Sequence, residues 1–88
     1  MFTGLVWEVG RIRAVAPRGG VTRLSLEAPR CAGQLAAGDS LAVNGVCLTV
    51  TARRGDRVEV EAVAETRRVT TLARWRAGDK VHLEPALR

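Results

Sequence analysis

A thiol and a hydroxyl two residues apart, Cys47 and Thr49, follow the dipeptide Asn44-Gly45. Both halves of Asn-Gly accept positive φ, which makes it the strongest short signal of a two-residue hairpin turn. On the strand that follows, residues of equal parity point to one face, so Cys47 and Thr49 would be presented together. Nucleophilic work would require Cys47 as thiolate, activated by a base or a cation. His82 is the only histidine and lies far off in sequence. On residue type alone a strand cysteine packs in a core, and a strand threonine has a satisfied hydroxyl. Glu65-Thr66 is the second pair of chemical interest. It precedes a basic stretch in which Val69 and Leu72 are three apart, so it reads as a helix start with Thr66 as N-cap. Gly4 reads as a bend and Phe2 as a terminal residue.

The chain has 88 residues, which allow one domain with one modest core, expected to span 1–88. Its hydrophobic fraction of 47% suits a globular fold. No apolar run approaches the roughly 18 residues of a membrane span. The N-terminus lacks a signal-peptide pattern. A cytoplasmic protein that meets no membrane is therefore expected. Cys31 and Cys47 match no zinc spacing, and a cytoplasmic setting disfavours a disulfide between them. No metal site is expected. Of the 14 basic residues all but Lys80 are arginine, and the net charge is +5. A basic surface attracts anions. Single-strand binders on small barrels also stack bases on exposed aromatics. Phe2, Trp7 and Trp75 are the only aromatics, so no nucleic-acid partner is expected, whereas an anionic small ligand fits.

The elements that must position these groups are mostly strands. Thr3 to Ala16 alternates loosely, with Gly10 as an expected bulge or bend. Pro17 to Gly20 is a turn, and Val21 to Ala28 alternates cleanly. Arg30 to Ala37 suits a short helix or an irregular connection. Gly38-Asp39 turns the chain into Ser40–Val43, and the Asn-Gly hairpin leads to Val46–Ala52. After a turn at 53–56, Val58, Val60 and Ala62 share one face against Arg57, Glu59 and Glu61, the clearest half-buried strand. Lys80 to Glu84 closes the set, with Val81 and Leu83 inward and His82 outward. No internal repeat stands out. The expected fold is all-β: a small six-stranded antiparallel Greek-key barrel with one or two short helical segments.

The same stretches carry a family resemblance. Asn44 to Val50 resembles the NG-x-CLTV segment of the riboflavin synthase family. Met1 to Val6 resembles its MFTG start, and Glu65-Thr66 with Leu72 its ET-x-x-x-T-x-L segment. Gly78-Asp79-Lys80-Val81 with Leu83-Glu84 resembles its closing strand. The resemblance implies the same barrel and a pteridine ligand, 6,7-dimethyl-8-ribityllumazine, with riboflavin as product. It implies no metal or redox cofactor. Backbone groups of Gly4, Leu5 and Val6 would border the ligand beside Cys47, Leu48 and Thr49. Val63, Ala64, Glu65 and Thr66 would hold its other side, with the carboxylate and hydroxyl facing a hydroxylated ribityl chain. Cys47 and Phe2 are the candidate catalytic residues.

The family reaction moves a four-carbon unit between two lumazines held face to face, between unlike barrels. This sequence matches only the first barrel. The histidine-containing GGH and SGH segments are absent, and so is the family's C-terminal helix. Thr70-Thr71-Leu72-Ala73 departs from the commoner TNLG, and Trp7 stands where a polar residue is usual. Three expectations stay open: a one-barrel enzyme acting as a homodimer, a flavin- or lumazine-binding protein without turnover, and the first domain of a longer enzyme.

Overall fold

Alternation at period two decides most of the architecture, because one face of each strand must be dry. In the computed structural model, which describes residues 6–18, 21–63 and 75–86, six strands form. They are β1 (Glu8–Arg18), β2 (Val21–Glu27), β3 (Ser40–Val43), β4 (Val46–Arg54), β5 (Arg57–Val63) and β6 (Lys80–Pro85). Leu24 and Leu26 of β2, Val58 and Val60 of β5 and Val81 and Leu83 of β6 are all at most 1% exposed. Each such side chain contributes about 1.5–3 kcal/mol on burial. Leu41, Val43, Leu48, Val50 and Ile12 complete the same core.

All neighbours are antiparallel, and the ring closes in the order β1-β2-β5-β4-β3-β6. Closure leaves no strand of the set with an unpaired edge. β3, β4 and β5 form a meander, while β2 and β6 flank it through long connections, so the expected six-stranded Greek-key barrel is the observed one. Of the expected helical pieces, the one between β2 and β3 is a single 3-10 turn, Ala32–Gln34. The other, 65–72, lies outside the described residues.

Two local expectations are corrected. The irregularity of β1 is not at Gly10 but between Ile12 and Ala14, where the register against β2 shifts. Gly10 instead permits a close approach. A Cβ there would lie 2.5 Å from Leu83 Cδ1 and 2.7 Å from the Glu27 carbonyl oxygen.

The second correction concerns repetition. Gly78 N–H donates to the Ile12 carbonyl at 2.7 Å and Ile12 N–H to that of Asp79 at 2.8 Å; Gly38 and Asp39 make the same two bonds with Val50, both at 2.8 Å. The Asp39 carboxylate accepts Ala36 N–H at 2.9 Å, and the Asp79 carboxylate accepts Arg76 N–H at the same distance. Gly38 and Gly78 adopt φ of +94° and +98°, open to glycine alone without strain. The shift between Ile12 and Ala14 recurs between Val50 and Ala52. Exchanging β1 with β4, β2 with β5 and β3 with β6 returns the same ring. The barrel is thus an internal two-fold, and its sequence trace is small: Ala37-Gly38-Asp39 and Ala77-Gly78-Asp79.

Candidate functional site

Asn44 has φ +50° and Gly45 φ +84°, so the hairpin between β3 and β4 is the one its residues demand. The turn also fixes a third strand. Asn44 N–H donates to the His82 carbonyl at 2.8 Å, and its Oδ1 accepts His82 N–H at 2.7 Å. One side chain thereby locks the start of β4 to β6.

From that anchor β4 runs with Leu48 in the core, 2% exposed. Cys47 and Thr49 stand exposed on the outer face, sharing it as parity requires. Leu48 can therefore offer only main chain to a ligand on that face. Thr49 lies opposite Ser40 on β3 and Glu61 on β5. Glu61 pairs across β5 and β2 with Arg23, whose Nε donates to it at 3.0 Å. Cys47 lies opposite Ala42, and Ala42 opposite Glu84. Ala42 is buried yet stands outside the core cluster.

Beside this face is a cleft of about 440 Å³, lined by Val6, Ala42, Asn44, Gly45, His82 and Glu84. Val6 is 53% exposed. The small side chains of Ala42 and Gly45 leave its floor open, and Glu84 gives it one buried carboxylate. The structure thus brings Val6, Cys47 and Thr49 to one side of the barrel. Val63 ends β5 opposite Val21. Phe2, Gly4, Leu5, Ala64, Glu65 and Thr66 lie outside the described residues.

Cys47, expected beside the ligand, is exposed; Cys31, expected in a connection, is fully buried there. Glu8, which sequence reasoning passed over, holds that connection. Its carboxylate is buried and accepts Arg30 N–H at 2.9 Å and Cys31 N–H at 2.8 Å. That draws the β2–β3 connection onto β1. Burial, and then Glu8, push the Cys31 thiol up to about 12. Only a charged residue at the inward parity of β1, where its neighbours Gly10 and Ile12 are buried, could have marked Glu8 in the sequence. Among the described residues no group of three or more metal-ligating side chains is gathered. No helix among them is long and apolar enough to cross a membrane.

A closed barrel with a filled interior leaves only its outer face, beside the cleft, on which a small molecule could sit. The lumazine binding domain family matches this chain over residues 3–86, and the chain belongs to that family. It is 40% identical over 87 residues to the riboflavin synthase of Bacillus amyloliquefaciens, covering 99% of this chain and 40% of that one. It is 40% identical over 90 residues to that of Schizosaccharomyces pombe, covering 99% and 42%. The chain therefore spans less than half the length of these relatives. Among solved structures, LumP complexed with riboflavin superposes with a TM-score of 0.88 at 29% identity, covering 97% of this chain and 46% of that one. LumP complexed with 6,7-dimethyl-8-(1'-D-ribityl) lumazine gives 0.88 at 29%, covering 98% and 49%.

Proposed function

We propose that this barrel binds 6,7-dimethyl-8-ribityllumazine and riboflavin on the outer face of β4. The observation that carries the reading is the exposure of Cys47 and Thr49 next to the Val6 cleft, on a barrel of the lumazine-binding family. A pteridine presents carbonyls and ring nitrogens along one edge. Thr49 and main chain near Gly4, Leu5 and Val6 would meet that edge, and Ala42 and Cys47 leave the face flat. Val63, Ala64, Glu65 and Thr66 would take the ribityl side.

Turnover needs two pteridines face to face, and positioning of that kind contributes up to about 7–11 kcal/mol in well-oriented cases. Two copies related by a two-fold would bring two identical faces together, with Phe2 and Cys47 as the proposed catalytic residues. No metal or redox cofactor enters this scheme, because one lumazine gives up the four carbons that the other receives. The share of the relatives that the chain spans favours a second reading, a binding domain that turns nothing over alone.

A titration with 6,7-dimethyl-8-ribityllumazine, followed for riboflavin absorbance, separates the readings. Saturable perturbation with product supports the homodimeric enzyme, and saturable perturbation without product supports the binding domain. A ligand spectrum unchanged at millimolar protein would sink both. Sedimentation with ligand bound reports the oligomeric state directly.

A further inference from the structure

The internal two-fold carries the proposed pteridine face onto the other half of the barrel. Cys47, Leu48 and Thr49 map onto Val9, Gly10 and Arg11. Ser40 and Glu61, which flank Thr49, map onto Lys80 and Glu27, which flank Arg11. Val63 maps onto Pro29. The mapped residues are not scattered. Val9, Gly10, Arg11, Glu27, Pro29 and Lys80 line one cleft of about 310 Å³.

Its chemistry differs from that of its counterpart. Where β4 and β3 set two hydroxyls side by side, β1 and β6 set two cations, Arg11 directly opposite Lys80. Like charges at opposed positions, with Cβ atoms about 4.5–5.5 Å apart, repel. Glu27 offsets one of them from the β2 side, yet among the described residues the only ion pair is Arg23 with Glu61. The Arg11 guanidinium has there a single long hydrogen bond, 3.5 Å to the Gly78 carbonyl. Its other donors have no protein acceptor among the described residues.

We infer that this cleft binds a phosphate monoester of a sugar or polyol. Arg11 would take two phosphate oxygens through its planar fork and Lys80 a third. The Glu27 carboxylate would accept from the ligand's hydroxyls, with Val9 and Pro29 as the apolar wall. An anion between Arg11 and Lys80 removes their repulsion. The comparison with β4 rests on the proposed function; the cleft and its cations do not.

The test is a pair of titrations of the whole chain, labelled with ¹⁵N, at constant ionic strength. One uses inorganic phosphate and then glycerol 3-phosphate; the other uses 6,7-dimethyl-8-ribityllumazine. The expected result is saturable shifts centred on Val9, Gly10, Arg11 and Lys80, with glycerol 3-phosphate binding more tightly than phosphate. Arg11→Ser with Lys80→Ser should weaken that binding at least tenfold and leave the lumazine shifts unchanged. Linear shifts of equal size at Arg53, Arg54 and Arg57 would mean an adventitious ion only and overturn the inference. Saturable phosphate shifts centred on Cys47 and Thr49 would also overturn it. Saturable shifts at Arg11 and Lys80 without any lumazine response would uphold it while removing the pteridine reading.

Discussion

Gly38-Asp39 and Gly78-Asp79 close the two halves of the barrel with the same hydrogen bonds, yet the strands they lock face solvent differently. β1 turns Val9 and Arg11 outward, with Arg13 at its bulge; β4 turns out Cys47 and Thr49, with Thr51 at the matching bulge. The inner faces agree: Ile12 answers Val50, Leu26 answers Val60, Ala28 answers Ala62 and Val43 answers Leu83. Interiors are packed to a density that leaves each position little choice, whereas outward positions are free to change. A two-fold core therefore coexists with one face of small neutral groups and one of long cations. The half that lacks bulk on its outside is the half that matches the family's ligand motif.

The halves also differ where connections meet strands. Glu8 pins the β2–β3 connection; the two-fold places Val46 at the equivalent position of β4, with no carboxylate to do the same. Cys31 is thereby the protected thiol, whereas strand parity leaves Cys47 open. Cys47 should therefore react with a water-soluble disulfide reagent about a thousandfold faster than Cys31, which must wait for an opening event. Equal rates would mean that the β2–β3 connection is not held by Glu8.

Replacing Glu8 by the second half's residue, Glu8→Val, leaves one buried and one half-buried N–H group without acceptor. It should lower stability by about 2–4 kcal/mol and speed labelling of Cys31. A denaturation midpoint unchanged from the parent would show the anchor to be dispensable. Gly10→Ala, by contrast, adds a methyl where Leu48 already fills the opposite half. The Cβ would meet backbone at Glu27, so the loss should be about 1–3 kcal/mol, read from the same denaturation curves. A neutral result would mean that β1 and β2 can part locally.

Thr49→Arg gives β4 the residue of β1. On the proposed function, it should weaken lumazine binding at least tenfold, about 1.4 kcal/mol, with little change in stability. Undiminished affinity would move the ligand off this face. Smallest of the set is Asp79→Ala, which removes an exposed carboxylate-to-amide bond. It should cost about 0.5–1.5 kcal/mol, and Asp39→Ala should cost at least as much. No loss from Asp79→Ala would show that the second turn holds without its carboxylate.

The raised Cys31 thiol adds a pH test. The unfolded chain deprotonates near 9.0, the folded one near 12. Above 9 the folded state binds more protons, so stability falls as pH rises from about 9 to 12 and is intact below. Cys31→Ala should remove that part of the alkaline loss.

Much of this was legible beforehand, for a local reason. Val58, Val60 and Ala62 alternate with charged residues, and Asn44-Gly45 admits few turns, so β5 and the β3–β4 hairpin follow from neighbours in sequence. The shared outward face of Cys47 and Thr49 follows from parity. What failed depends on distant partners. Glu8 acts on residues 22 and 23 positions away, Asn44 on one 38 away, and Gly10 is required by Leu83 and Glu27. The bulge was expected at Gly10 because glycine is a frequent bulge residue; the approach of β2 and β6 gave that glycine another task.

By itself the sequence determined the strands, the turns, the closed barrel and the family motifs, because each is written in the period of side chains and in residues that tolerate positive φ. The tertiary structure decided which cysteine is buried, which carboxylate anchors a connection, and that the two halves are related by a two-fold. It also set Arg11 beside Lys80 opposite a face of hydroxyls. Those facts depend on which strands meet across the ring, and strand pairing is a property of the closed barrel that no single segment contains.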